Sequence, residues 1–253
     1  MKDLVKIIDI SSKEILPDLI KLRRHLHAHP ELSGQEYQTA ALVAGELRES
    51  GWEVKEAIGK TGVVAEMGNR SGPVVALRVD MDALPIEERT GLDYSSKIQG
   101  LMHACGHDLH TCIGLGVAKV LAKKKLTTTR IRIIFQPAEE TAQGAKWMRG
   151  EEVLKDVKAL FGVHVYPDLS VGKIGIRSGT FTAAAAELEI DIIYSSPFIR
   201  TLQTINPYCE KCGVKVNLEY SLSEIQHPLI IPEKSYQVRL PTYMAHNFNS
   251  NDK

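Results

Sequence analysis

The sequence predicts an α/β protein, a mostly parallel sheet flanked by helices. Three observations predict it. Along residues 10–190, short apolar runs of strand length alternate with stretches of helical spacing. One run, Pro73–Val79, is apolar without alternation, as in a strand covered on both faces. Polar clusters fall just after several of the strands rather than within them.

The elements follow in order. Ser11 and Glu14 form a capping-box pair, which predicts a helix start there. Ile15, Leu19, Leu22 and Leu26 continue it at helical spacing, and Pro30 lies past its end. A second helix is expected from about Glu36 to Gly51. Trp52–Glu56 and Val63–Met67 read as short strands, followed by the buried run ending at Val79. A helix is expected over Thr111–Lys125, with Ile113, Val117, Val120 and Leu121 on one face. Ile131–Phe135 is a strand closed by Gln136-Pro137, and Ala142–Arg149 is helical. Ala159–Val165 and Lys173–Arg177 read as strands, and Glu187–Ile193 alternates weakly like one more. Near residue 192 the rhythm changes. Pro197, Pro207, Pro228, Pro232 and Pro241 break the remainder into short pieces, and the polar stretch 243–253 is expected to be disordered.

Composition excludes several classes. The 253 residues carry 31 basic and 31 acidic side chains, a formal net charge of zero. A nucleic-acid binder needs a basic excess to displace counterions from phosphates. No run approaches the roughly 20 apolar residues of a membrane helix. The first residues place lysines and acids where a signal peptide has its apolar run, so a cytoplasmic location is expected. Four cysteines, Cys105, Cys112, Cys209 and Cys212, are too few for a disulfide scaffold.

The chemistry concentrates in four places. Asp80 and Asp82 follow the strand ending at Val79. His103, Cys105, His107, Asp108 and His110 crowd one short segment. Glu139 and Glu140 follow the strand ending at Phe135. His164 closes the strand near Val163. Ligands of parallel α/β sheets bind beyond the carboxyl ends of the strands, so topology gathers these clusters into one cleft. Thiolate, imidazole and carboxylate together suit zinc, manganese, cobalt or nickel rather than calcium. Adjacent Glu139 and Glu140 can divide the labour, one holding a metal and the other moving protons. Asp82 and Asp108 suit the orientation of imidazoles. Taken singly, each piece has an ordinary reading: a buried cysteine is a small hydrophobe, and an aspartate after a strand is a turn or cap. Their coincidence after successive strands points to a metal site.

These residues resemble peptidase family M20, in particular its subfamily D of amidohydrolases acting on N-acyl amino acids, hippurate and auxin conjugates. The stretches are RVDMDALP (78–85), HACGHDLHT (103–111), FQPAEE (135–140) and GVHVYP (162–167), with LRRHLHAHPELSGQE (22–36) upstream and GTFTAAAAELEI (179–190) downstream. The resemblance implies a zinc-peptidase-like catalytic domain over residues 1–192 with two divalent metal ions (Zn, Mn, Co or Ni). It implies Cys105, His107, Glu140 and His164 as metal ligands and Glu139 as general base. It further implies Asp82 as a catalytic residue that orients a ligand, with Asp108 and His110 behind the ligands. The substrate implied is a small N-acyl amino acid. His25, His27 and His29 match no ligand of the family and read as structural.

The chain departs from that pattern beyond residue 190. The family's inserted lid domain and its last ligand histidine have no counterpart in the sequence, so the catalytic domain reads as incomplete, the lid as absent. Instead, residues 193–225 resemble an internal piece of the histidine phosphatase superfamily, which implies a fragment over 193–242 with Arg200 as its phosphate-binding arginine. The Arg-His-Gly that supplies that superfamily's nucleophile is absent. Cys209 and Cys212 form a lone C-x-x-C without a second pair to complete a zinc site. A non-catalytic metal-binding remnant of the M20 family is the alternative reading, and phosphate binding at Arg200 a third.

Overall fold

The computed structural model describes residues 2–123 and 129–176, together with three short strands at 193–195, 216–218 and 248–249. The chain divides into two units, Met1–Gly175 and Ile176–Lys253.

The first unit opens with two helices, α1 (Lys2–Ala28) and α2 (Tyr37–Glu49). Strands β1 (Glu53–Ile58), β2 (Gly62–Gly68) and β3 (Val74–Asp80) follow, then α3 (His107–Ala122), β4 (Arg130–Gln136), α4 (Gly144–Arg149) and β5 (Val157–Gly162). The strands form one sheet in the order β1-β2-β4-β3-β5. β3 pairs parallel with both β4 and β5, while β2 pairs antiparallel with β1 and β4. The α/β class stands, and the sheet is mixed: its parallel part is β4-β3-β5, and the β1–β2 hairpin extends it.

The period of two along strands splits the apolar residues between the faces. Val63 and Ala65 of β2 join Ile133 and Phe135 of β4 and Val79 of β3 on one face. There they pack against Val43, Ala44 and Leu47 of α2 and Leu115 and Ala118 of α3. The residues between them, Val64, Ala76 and Ile134, form a smaller cluster on the other face with Met148 and Val153. Trp52 ties the α2–β1 turn to α3 by donating its indole N–H to the Ala118 carbonyl at 3.2 Å.

Two expectations need correction. α1 begins at Lys2, so Ser11 lies inside the helix and is buried. A capping box serves N–H groups that lack a carbonyl one turn back, and upstream helix already supplies those carbonyls. The strand expected at Lys173–Arg177 does not form over 173–176; Arg177 lies outside the described residues. Ile174 and Ile176 are 91% and 92% exposed. Among the described residues no strand pairs with the outer edge of β5, so the segment has no ladder to join. β5 itself starts and ends earlier than its apolar run suggests, which leaves His164 in the loop beyond it.

In the second unit, β6 (Ile193–Ser195), β7 (Val216–Leu218) and β8 (Phe248–Asn249) form a parallel three-stranded sheet. Ile193, the end of the weakly alternating run, opens β6, and Phe248 and Asn249 of the polar C-terminal stretch form β8. Arg200, Cys209, Cys212 and residues 187–192 lie outside the described residues. Among the described residues no helix is long and apolar enough to cross a membrane.

Candidate metal centre

Three adjacent parallel strands deliver the chemistry to one sheet edge. β3, in the middle, ends in Asp80 and runs on to Asp82. β4, on one side, is followed by Glu139 and Glu140, and β5, on the other, by His164. The β3–β4 crossover carries Cys105 just before α3 and His107 and His110 in its first turn. Gly106, between Cys105 and His107, has φ +86°, in the left-handed region that favours glycine. A Cβ there would also lie 2.6 Å from a Val165 methyl, so the loop passes close beside the residue following His164.

Ligand-type atoms within 4.8 Å of one another form three groups: Cys105 with His107 and His164, Asp80 with His107 and His110, and His107 with Glu139 and Glu140. His107 belongs to all three and is fully buried. Its Nδ1 lies 3.2 Å from Asp82 Oδ1. Its Nε2 is buried without a hydrogen-bond partner, 3.7 Å from Glu140 Oε1 and 3.8 Å from Glu139 Oε2. Glu140 Oε1 is likewise buried and unpartnered. An imidazole held by a carboxylate at one nitrogen and bare at the other is the arrangement of a metal-ligating histidine. The donor set therefore fits a divalent cation.

His164, in a more open setting, is held at one nitrogen by the backbone and turns the other to a neighbouring ligand-type atom. Its Nδ1 bonds the Val165 carbonyl at 2.7 Å, and its Nε2 lies 3.5 Å from Cys105 Sγ. His110 differs, because both nitrogens are engaged. Nδ1 meets Asp80 Oδ1 at 2.5 Å, and Nε2 accepts the Val165 N–H at 2.8 Å. It stands behind the group and ties the His164 loop to α3. Asp80 is held in turn by Arg78 at 2.7 Å. Asp108 contacts none of these imidazoles. It accepts from His27 Nδ1 at 2.8 Å and faces Arg23 at 2.8 Å, while Glu88 sits 3.2 Å from the other nitrogen of His27. His27 is thereby built into the interior, whereas the His29 ring bonds back to the His25 carbonyl and packs on the His25 ring at 4.5 Å.

The electrostatics follow from burial and crowded acids. Burial pushes the Cys105 thiol up to about 12, reinforced by the charge of Glu140. Burial also raises Glu140, against the pull of His107. Burial works to lower His107, but the Asp82 hydrogen bond and the charges of Asp80 and Asp82 outweigh it and raise it. Burial works to raise Asp82, yet donors from His107, Ser33 and the backbone of Glu139 and Glu140 bring it down to about 2. A divalent cation would offset the negative field behind these shifts.

One residue of this neighbourhood carries no sequence signal of chemistry. Glu36, at the start of α2, is fully buried. Its Oε1 accepts the N–H groups of Gly34 at 2.9 Å and Ala138 at 2.8 Å, and its Oε2 accepts Thr61 Oγ1 at 2.5 Å. Only its place in the stretch 22–36, set just before a helix, offers a hint in the sequence.

A donor set of thiol, imidazole and carboxylate beyond three parallel strands defines a candidate divalent-metal centre in an α/β scaffold. The chain belongs to peptidase family M20/M25/M40, whose family model matches residues 76–246. It is 48% identical to a probable hydrolase of Synechocystis sp., covering 86% of this chain and 56% of that protein. It is 45% identical to the N-acetyl-L-cysteine deacetylase of Bacillus subtilis, covering 69% of this chain and 42% of that protein. Among solved structures it resembles the Bacillus subtilis YXEP protein, a dinuclear metal-binding peptidase of the M20 family, with 47% identity and a TM-score of 0.63. That match covers 66% of this chain and 47% of the other. The chain thus spans about half the length of the curated relatives it matches.

Proposed function

We propose that the chain carries the metal centre of an amidohydrolase that cleaves the amide bond of N-acyl amino acids or small peptides. The observation that carries this reading is His107: one nitrogen on Asp82, the other without a hydrogen-bond partner and facing Asp80, Glu139 and Glu140 at 3.6–3.8 Å. Cys105, His107, Glu140 and His164 would hold two divalent ions of the zinc, manganese, cobalt or nickel type. When bound, the ions would supply an acidified water and stabilise negative charge on the amide oxygen. Glu139 is the more exposed of the glutamate pair, its side chain 40% accessible against 19% for Glu140. Its carboxylate is free to take a proton from the attacking water and return it to the leaving amine. Asp82 keeps the His107 ring in register, and His110 anchors the loop that carries His164.

The N-acyl substrate class rests on the subfamily D resemblance, and the deacetylase among the relatives supports it. A cytoplasmic site of action belongs to the same proposal. The test is hydrolysis of N-acetyl and N-benzoyl amino acids by purified protein with added manganese or zinc, alongside its metal content. Glu139→Gln should keep the metal and lose turnover by about 100-fold or more. Equal turnover in that variant overturns the assignment of the base.

One observation favours the second reading, a metal-binding remnant without turnover. β5, the strand that leads to His164, leaves Leu160 and Phe161 half or more exposed. Bound metal with no hydrolysis of any substrate tried would decide for it.

A further inference from the structure

We infer that Glu36 is a positioning residue for the metal centre, holding from outside the loop that presents Glu139 and Glu140. The inference rests on the metal-site reading proposed above.

Glu36 does not cap its own helix. It sits at the N-cap position of α2, where a carboxylate ordinarily accepts the helix's free N–H groups. Its side chain makes no capping bond. Glu31 does that work instead, accepting from Gln38 N at 3.0 Å and Thr39 N at 2.8 Å. The Glu36 carboxylate is therefore directed away from its own helix, to a residue 102 positions later, Ala138.

The loop it meets has an unusual backbone. Ala138 has φ +46°, a backbone conformation that a side chain disfavours. Glu36 accepts the N–H of this residue, and Asp82 Oδ2 accepts that of Glu140 at 3.0 Å. Two buried carboxylates thus grip the loop on either side of Glu139. The far side is equally fixed. Gly144 donates to the Ala138 carbonyl at 3.0 Å, and a Cβ on Gly144 would lie 1.6 Å from the Pro137 carbonyl oxygen. A strained turn persists only where its surroundings over-determine it.

Glu36 also lies on a strap. Residues 31–36 cross the ends of both β3 and β4. The Glu31 carbonyl accepts Ala83 N at 2.8 Å, Ser33 donates to Asp82 at 2.6 Å, and Glu36 holds Ala138. The strap couples the Asp82 loop to the Glu139–Glu140 loop, and Thr61 from the β1–β2 turn closes the far oxygen of Glu36. Without the carboxylate, the Ala138 N–H is buried without an acceptor, and the loop must move to find one.

The experiment titrates cobalt(II) into the full chain and follows its visible absorption, which reports ligand geometry independently of turnover. Glu36→Ala should weaken cobalt binding by about 10- to 100-fold, the usual cost of losing a residue that orients ligands, and alter the absorption bands. Glu36→Gln keeps an oxygen for Gly34 and Ala138 and can donate its amide to the Thr61 hydroxyl, so it should restore most of the affinity. A folded Glu36→Ala that binds cobalt like the wild type overturns the inference and leaves the metal site standing. Wild-type protein that binds no cobalt overturns both. If Glu36→Ala does not fold, Thr61→Val carries the test, with faster amide exchange at 138–140 and weaker cobalt binding expected. No change in either overturns the inference.

Discussion

The two sides of the candidate metal centre are built from the same kinds of residue and held by different physics. On the β3–β4 side, His107, Asp80 and Asp82 are fully buried, and every carboxylate oxygen of Asp82 has a donor from a different element. On the β5 side, His164 is exposed and Cys105 half-buried, in loops beside a strand whose residues are mostly open to solvent. The first side is preformed by a buried network that pairs the carboxylates of Asp80 and Asp82 and leaves His107 Nε2 and Glu140 Oε1 unpartnered; it is costly to disturb because a carboxylate that loses its donors is an unpaired polar group in low dielectric. The second is held by a bond from Val165 to His110, an edge-on contact between the His164 and His110 rings and a close approach at Gly106. The difference teaches that one candidate site can pair a half fixed by buried hydrogen bonds with a half set in exposed loops.

The largest effect should come from the rigid half. Asp82→Ala removes the acceptor of Ser33, His107 and the Glu140 N–H together. Loss of one partner from such a buried network costs about 3–5 kcal/mol, read as a shift in urea denaturation of the metal-free protein. A loss comparable to that of a surface substitution would show that this half is not preformed.

A smaller effect of the same origin is expected from His103. It is buried, both its nitrogens lack partners, and burial brings it down to about 4, against a lesser pull from Asp108. Its folded-state value lies below the ordinary 6.5, so the unfolded chain takes up the proton first as pH falls. The contribution of neutral His103 is therefore whole above about pH 6.5 and lost progressively toward about pH 4. The stability difference between wild type and His103→Leu, measured without metal, should shift against the wild type over that window. A difference independent of pH would mean that the imidazole reaches a proton acceptor on this side of the site.

The sequence made much of this legible because the relevant signals are local. The continuous apolar run of β3, the helical spacing of α2 and the adjacency of Glu139 to Glu140 all lie within a few residues. The rule that ligands gather beyond parallel strands then brought Asp82, His107, Glu140 and His164 to one edge, where the structure has them. What stayed hidden depends on contacts far along the chain. Nothing in the spacing tells that Asp80 meets His110 while Asp82 meets His107, or that Asp108 serves His27. Glu36 reads as an ordinary helix-start acid until the loop it holds is seen. The misread strand at 173–176 has the right alternation, but a strand exists only when another pairs with it.

The smallest effect on folding should come from the open half, and it is the sharpest test of the contrast. His164→Ala removes an exposed ring that bonds its neighbour's carbonyl, approaches the Cys105 sulfur and meets the His110 ring edge-on at 4.7 Å. The loop keeps its anchor, because the Val165 N–H bonded to His110 belongs to the backbone. Stability of the metal-free protein should therefore stay within about 0.5 kcal/mol of wild type, as for surface substitutions generally. Cobalt binding should weaken all the same, since the ring removed carries Nε2, the ligand nitrogen proposed above, 3.5 Å from Cys105 Sγ. The pairing of a small folding effect with a clear binding effect is the signature of a residue that the ion, and not the fold, holds in place. A His164→Ala variant as destabilised as Asp82→Ala would instead make the two halves one network and remove the distinction.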